Sequence, residues 1–366
     1  MKRLGCLVRP LSLAIIGLIV LIIVSMMMFD VPGPEPELPP DTVLHIGPFS
    51  ITNTVLACWL GIVVVVAISY VATRNMKVVP GRLQTMIEAG VEGLLGFVES
   101  IAGKEHGRRF FPIVATIFIF VIANAYMGLL PFMGHAIHGT EESYAVAGVS
   151  GVVSSVEVLE GDEVDEGDII CRLDGGAEIE APMRGEIAHL NVVQGQEIGS
   201  ASTVASIERN FPFLRAANTD INMPLALAII SFACVEFWGV TAVGVSHYFR
   251  KFFNFGQLLQ GVNYLLRGRI GSGLGALFNG VINAFVGILE LLSEFIRIIS
   301  FTFRLFGNMT AGEILLATIV SLIPLVAILP FYGLELLVGF VQALIFAGLT
   351  LVFATMAVTP HDAEED

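Results

Sequence analysis

Glu290, Glu294, Arg297, Phe301, Arg304 and Asn308 follow one another at steps of four, three, four, three and four. That spacing places all of them on one face of a helix. The surrounding run, 280–323, is otherwise apolar enough for hydrocarbon. Ionisable side chains inside a membrane span cost some ~2.5–3.5 kcal/mol each on insertion scales, and they mark ion pathways or paired charges. Glu294 and Arg297, at i,i+3, neutralise part of the stripe. Arg304 has no carboxylate three or four residues before it, and Asn308 cannot neutralise it. Its counter-charge comes either from a fixed ion pair with another helix of the same chain or from a second protein.

The next apolar run contains LELLVGFVQALIF, with Glu335 and Gln342 at i,i+7 on one face. If 280–323 and 330–358 form an antiparallel hairpin, Gln342 lies level with Arg304 and Glu335 lies level with Glu313. At a rise of about 1.5 Å per residue, the glutamate pair stands ~13 Å to one side of the arginine, and Glu290 ~21 Å to the other. Two facing carboxylates in a poorly solvated place cannot easily both ionise, and they share a proton with coupled apparent pKa values. That is relay chemistry. Glu290 fits a second, separate aqueous access path. A guanidinium between the two paths stays protonated and repels protons, so they cannot pass straight through. A mobile carboxylate on another protein is then the best supply of the missing counter-charge.

The elements that position these groups are membrane helices. The chain of 366 residues is 55% hydrophobic and 14% charged, with a mean hydropathy of +0.80, far from the balance of soluble domains. Apolar runs at 11–29, 52–72, 110–132, 221–246, 280–323 and 330–358 are long enough to cross ~30 Å of hydrocarbon. The expected fold is an α-helical polytopic membrane protein of six hydrophobic segments, the last two a long tilted hairpin. Lys2/Arg3/Arg9, Arg74/Lys77/Arg82, Lys104/Arg108/Arg109 and Arg250/Lys251/Arg267/Arg269 mark the cytoplasmic ends by the positive-inside rule. The Pro-rich DVPGPEPELPP linker, the 133–220 region and the turn near Pro330 then face outward, and the C-terminal HDAEED ends inside. This orientation puts Glu313 and Glu335 on the outer side of Arg304 and Glu290 on the cytoplasmic side. Residues 82–103 have helical apolar spacing but are too polar to span, as expected of an amphipathic helix on the cytoplasmic face. The first segment reads as a retained anchor, with an uncleaved or late-cleaved signal peptide as the alternative.

Between the third and fourth segments the sequence changes character. Residues 141–208 hold fifteen Asp/Glu against Arg172 and Arg184, so nearly all of the net charge of −14 is here. This excess reads as a solvated surface, the alternative being a field that concentrates cations near a channel entry. GVVSSVEVLEGDEV (151–164) and GEIAHLNVVQGQEI (185–198) align without gaps at an offset of 34, with period-two apolar positions and tight turns, a duplicated β unit. The pair resembles the biotinyl/lipoyl carrier fold, a flattened barrel of two related halves. In that family a lysine at the hairpin tip receives the prosthetic group. Here the tip reads LDGGAEIEAP, and no lysine occurs between Lys104 and Lys251. No cofactor is expected, since the amine nucleophile is missing, and a docking or rigidifying module is the expectation. The expected domains are an anchor and linker (1–40), membrane helices with the amphipathic helix (41–140), the inserted β domain on the outer side (141–208) and the membrane helices of the ion path (209–366).

RLFGNMTAGEILL followed by LELLVGFVQALIFAGLTLVF resembles subunit a of the membrane sector of F-type ATP synthases, and TDINMPLALAI matches that family's outer-side loop. The resemblance covers roughly 41–135 and 210–360. It implies that Arg304 faces the carboxylates of a rotating c-ring, with Asn308 and Gln342 on the same face and Glu313 and Glu335 in the outer half-channel. It puts Asp220 and Asn222 near the outer mouth, and Glu290, with Glu294 and Arg297, near the cytoplasmic one. Some members of the family carry histidine where this chain has Glu335. The implied partners are the c-ring, peripheral stalk subunit b, the catalytic sector and membrane lipid, with no nucleic acid. The implied location is multi-pass in a bacterial plasma membrane, with protons as the default ion.

Other signals carry less. His135 and His138 in HAIH have no third ligand nearby and sit at the end of a span. Gly271, Gly273 and Gly275 neither follow a strand nor precede a P-loop lysine. Cys6, Cys58, Cys171 and Cys234 show no CxxC spacing. With no nucleotide motif, no catalytic centre is expected. A biotin-dependent ion-pumping decarboxylase component is the rival reading, which the absent tip lysine opposes. A secondary transporter is the other, and it calls for two similar membrane halves that the sequence lacks.

Overall fold

The computed structural model describes residues 39–46, 49–130, 133, 138–245, 270–322 and 328–359, with scattered positions between 246 and 269. The first hydrophobic segment, most of the Pro-rich linker, Arg250, Lys251, Arg267, Arg269, His135 and the C-terminal HDAEED lie outside the described residues. The chain divides into two compact units, one taking in 54–130 and 216–366, the other 41–53 and 131–215.

The first unit is helical: α1 (Asn53–Thr73), α2 (Arg82–Gly128), α3 (Asn222–Val243), α4 (Ile270–Leu322) and α5 (Ile328–Val358). Among the described residues, α1, α2, α3 and α5 are long and apolar enough to cross a membrane. α2 is two helices joined at Gly103, the expected amphipathic helix and the third hydrophobic run. Its backbone leaves helical geometry at Gly103 (φ 74°, ψ 170°), a conformation open to glycine and costly for residues with a Cβ. The kink lets one sequence serve two environments. α3 ends at Gly244, again with positive φ. One apolar core joins α2, α3, α4 and α5 through Phe110, Val121, Leu227, Trp238, Phe301, Leu305, Phe346 and Leu351, all buried. Some polar groups inside the unit pair across helices, as where Ser231 of α3 meets Thr350 of α5 at 2.7 Å.

The second unit is all-β. β1 (Thr42–Ile46) and β2 (Phe49–Thr52) form an antiparallel hairpin. The remaining strands are β3 (His138–Val146), β4 (Gly151–Val156), β5 (Glu163–Val164), β6 (Ile169–Leu173), β7 (Glu178–Glu180), β8 (Gly185–Leu190), β9 (Glu197–Ile198) and β10 (Thr203–Pro212). They make two four-stranded sheets, ordered β3-β10-β8-β5 and β7-β6-β4-β9. Residues 41–53, grouped with the membrane helices in the sequence-based division, instead form the β1–β2 hairpin, with Asn53 hydrogen bonded to Asp41 and Pro212 and Arg209 paired with Asp41. The period-two pattern of TVLHI and FSIT is the signal for it.

The sequence repeat folds as two interlocked halves. β4 pairs with β9 through Gly151↔Ile198, and β8 pairs with β5 through Gly185↔Val164, equivalent positions of the two copies. The amide of Gly161 donates to Ile187, and that of Gly195 donates to Val153 in the same way. Both glycines sit at the turn with φ near +90°, which explains a glycine at this place in each copy. Val153 and Ile187, at 1% exposure each, occupy equivalent places in the β core. Each half needs the other to complete its sheet, so neither copy has a core of its own. Burial pushes the Cys171 thiol above its usual range, which keeps it unreactive at neutral pH. The tip at Asp174–Gly176 is a tight turn with positive φ at Gly175 and Gly176.

Candidate functional site

The stripe on α4 is built by helix periodicity and by what packs against each position. Glu294 is 5% exposed, and its carboxylate meets Arg297 at 2.6 Å, the i,i+3 pair read from the spacing. The Arg297 guanidinium lies 3.6 Å from the centroid of Phe353 on α5, a cation–π contact that holds it against the neighbouring helix. Arg304 is half-buried. Its Nη2 donates to Ser300 Oγ at 3.3 Å, and its guanidinium carbon lies 5.8 Å from the Phe301 ring. Among the described residues no carboxylate comes within ion-pair distance of it.

Contacts between α4 and α5 fix their register. Phe301 packs on Phe346, their rings tilted at 58° with centroids 4.9 Å apart, and Glu335 lies against Gly312. Equal steps along both helices separate these contacts, so the helices run antiparallel and Arg304 falls level with Gln342 and Ala343. Gln342 is buried, and no hydrogen bond joins it to Arg304 among the described residues. Glu335 is also buried. A Cβ added to Gly312 would come within 2.2 Å of its Oε2, so glycine makes the space this carboxylate occupies; Glu313, the next residue on α4, is half-buried. Glu290 is half-buried, a turn before the Glu294–Arg297 pair.

Asp220 and Asn222 open α3. Asp220 is 4% exposed, accepts from Thr54 Oγ1 at 2.7 Å, and takes the backbone and side-chain amides of Asn222 at 3.0 Å each. The carboxylate therefore ties the start of α1 to the start of α3 and accepts from the first backbone amide of α3. Asn222 itself is exposed.

The structure adds one carboxylate absent from the expected set. Glu236, in the middle of the apolar IISFACVEFWG run of α3, has a buried Oε1 with no hydrogen-bond partner. It is hydrogen bonded by the Tyr248 hydroxyl, and Tyr248 also lies within electrostatic reach of Glu294 and Arg297. Its only sequence signal was that of Arg304: a lone ionisable residue inside a span.

On one face of α4, Ser300, Gly307, Asn308 and Ala311 are exposed around the half-buried Arg304. These residues are small or polar, so another backbone can approach the guanidinium closely. The stripe offers no nucleophile or metal cluster, and no group of three or more metal-ligating side chains occurs among the described residues. What it can do is hold protons on either side of a permanent cation.

The family model described as ATP synthase A chain matches residues 55–355. Curated relatives agree. The chain is 24% identical over 316 residues to ATP synthase subunit a 2 of a Bradyrhizobium species, covering 86% of this chain and 93% of that protein. It is 25% identical over 297 residues to ATP synthase subunit a of Campylobacter jejuni subsp. doylei, covering 80% and 85% respectively. To ATP synthase subunit a of Moorella thermoacetica it is 21% identical over 322 residues, covering 88% and 98%.

Proposed function

The chain belongs to the ATP synthase A chain family, a multi-pass, non-catalytic proton-channel subunit of the F0 sector, and within that assignment we propose how its residues carry the ion. Arg304 is the fixed cation that each c-ring carboxylate meets in turn. The observation that carries this reading is a half-buried guanidinium without a carboxylate partner among the described residues, on a helix face left open by Ser300, Gly307, Asn308 and Ala311.

Glu313 and Glu335 then hold protons in the outer half-channel, with Asp220 and Asn222 framing its mouth at the start of α3. Glu290 opens the cytoplasmic half-channel, and Gln342 lines the level of the arginine. The stator role calls for a peripheral stalk subunit b and the catalytic sector as further partners. The membrane is a bacterial plasma membrane, with the C-terminus inside and the β unit outside.

For the β unit we propose a biotinyl/lipoyl-like barrel without a prosthetic group, acting as a rigid docking module. The interlocked halves support the likeness, and the tip without lysine supports the empty arm. Intact-mass measurement of the purified chain is expected to give the bare polypeptide mass at this unit. A biotin or lipoate adduct would overturn the docking reading.

The stator assignment is tested by cross-linking within the native complex. A cysteine at Asn308, exposed beside Arg304, is expected to form a disulfide with a cysteine placed next to the ring carboxylate, and stalk and ring subunits to co-purify. A complex that purifies with its ring yet gives no such cross-link would put the ring against another face.

A further inference from the structure

We propose that Glu236 is a proton-holding residue of the cytoplasmic half-channel, exchanging protons between water entering near Glu290 and the ring carboxylate at Arg304. The inference rests on the stator reading and on the orientation proposed above.

Depth comes first. α3 and α4 run antiparallel, and a small cavity of about 10 Å³ between them is lined by Ser231, Phe232 and Val235 of α3 and by Arg297 and Phe301 of α4. Ala228, about two turns before Val235, lines the same space as Phe301, which lies about one turn before Arg304. Glu236 follows Val235 directly and stands one turn beyond Phe232 on the same face, so it sits ~10–12 Å from the arginine's level, on the Glu290 side. The cavity is about the size that holds a single water.

Chemistry comes second. The groups facing Glu236 are the Tyr248 hydroxyl, which donates to one carboxylate oxygen, and beyond it the paired Glu294 and Arg297 of α4. From α2, Arg109 is held by Thr241 at 3.3 Å, and His106 stacks on Phe110. α5 contributes Phe353 and Thr350, which do not titrate. Arg297 is committed to Glu294 and to the Phe353 ring. Glu236 therefore keeps an enclosed oxygen, Oε1, with no hydrogen bond, at which a proton can be added or lost. Tyr248 interacts with the carboxyl from the chain that follows α3. Its ring packs so closely on α3 that a Cβ at Gly239 would come within 2.6 Å of Tyr248 Cε2. A carboxyl with an enclosed, unbonded oxygen, one residue along α3 from the lining of a water-sized space, is suited to relaying a proton.

The test uses the whole ATP synthase in inverted vesicles, with passive proton conduction read after the catalytic sector is stripped. Glu236→Gln is expected to lower conduction at least about tenfold, while Glu236→Asp retains most of it. One positioned proton-transfer group contributes about 100-fold or more, so a loss of about tenfold is the least its removal should cause. Tyr248→Phe, which leaves the carboxyl in place, is expected to move the pH midpoint of conduction on the cytoplasmic face, a shift that a packing role would not cause. Conduction by Glu236→Gln at the parent rate overturns the proposal, and if that variant fails to assemble, an unchanged pH profile of Tyr248→Phe overturns it instead. Arg304→Ala serves as the control. If it abolishes coupled pumping while Glu236→Gln conducts normally, only the Glu236 inference falls. If Arg304→Ala also pumps normally, the stator reading falls and takes this inference with it.

Discussion

Arg304→Ala is expected to abolish ATP-driven proton pumping in inverted vesicles and to cut ATP synthesis by about a thousandfold. A carboxylate about 4 Å from a guanidinium at an effective dielectric near 20 is favoured by roughly 4 kcal/mol. At about 1.4 kcal/mol per decade this biases ring deprotonation by roughly three orders of magnitude. Without the cation, a ring carboxyl can pass the stator still protonated, and the two access paths meet. A passive leak should therefore appear as pumping is lost. Arg304→Lys is expected to recover little, because an ammonium is a compact charge that deprotonates readily when desolvated, whereas the guanidinium does not. Full coupling in Arg304→Ala, measured by dye quenching alongside hydrolysis, would remove Arg304 from the mechanism.

Gly312→Ala is expected to lower proton conduction more than tenfold without loss of assembly. The added methyl would sit 2.2 Å from Glu335 Oε2 and 2.3 Å from its Cδ. Those atoms end a flexible side chain, so the clash is relieved by swinging the carboxylate away at modest conformational cost. The damage then falls on the position of Glu335, the proposed relay group, rather than on the fold. Misplacing a reacting group by about 1 Å can cost ~100-fold. Glu335→Asp in the Gly312→Ala background shortens the side chain by one methylene and is expected to restore part of the conduction. Parental conduction by Gly312→Ala would show that Glu335 does not relay protons from this place.

Much of the site was legible because helix periodicity is local. Glu294 and Arg297 pair at 2.6 Å as their spacing demands, and the stripe through Arg304 emerges on one face of α4. The antiparallel register of α4 and α5 could also be anticipated, because a short connection between two long apolar helices leaves few alternatives. Glu236 was not legible: alone among apolar residues, it acquires meaning only when α3 packs on α4 and encloses one of its oxygens. The bonding of Asp220 to Thr54, distant in sequence, was hidden for the same reason.

The sequence by itself determined the membrane class, the face on which the charges stand, the duplication within the β unit and the absence of an attachment lysine. All of these follow from composition or from repeats along one chain. Only the tertiary structure decided that the two β halves complete each other's sheets and that 41–53 joins them as a hairpin. It alone placed the Glu335 carboxylate in the space left by Gly312 and gave α3 a carboxyl of its own beside the stripe. Those outcomes depend on which surfaces meet across long stretches of chain. Close packing selects that pairing from shape, and the periodicity of one element does not encode the shape of its neighbour.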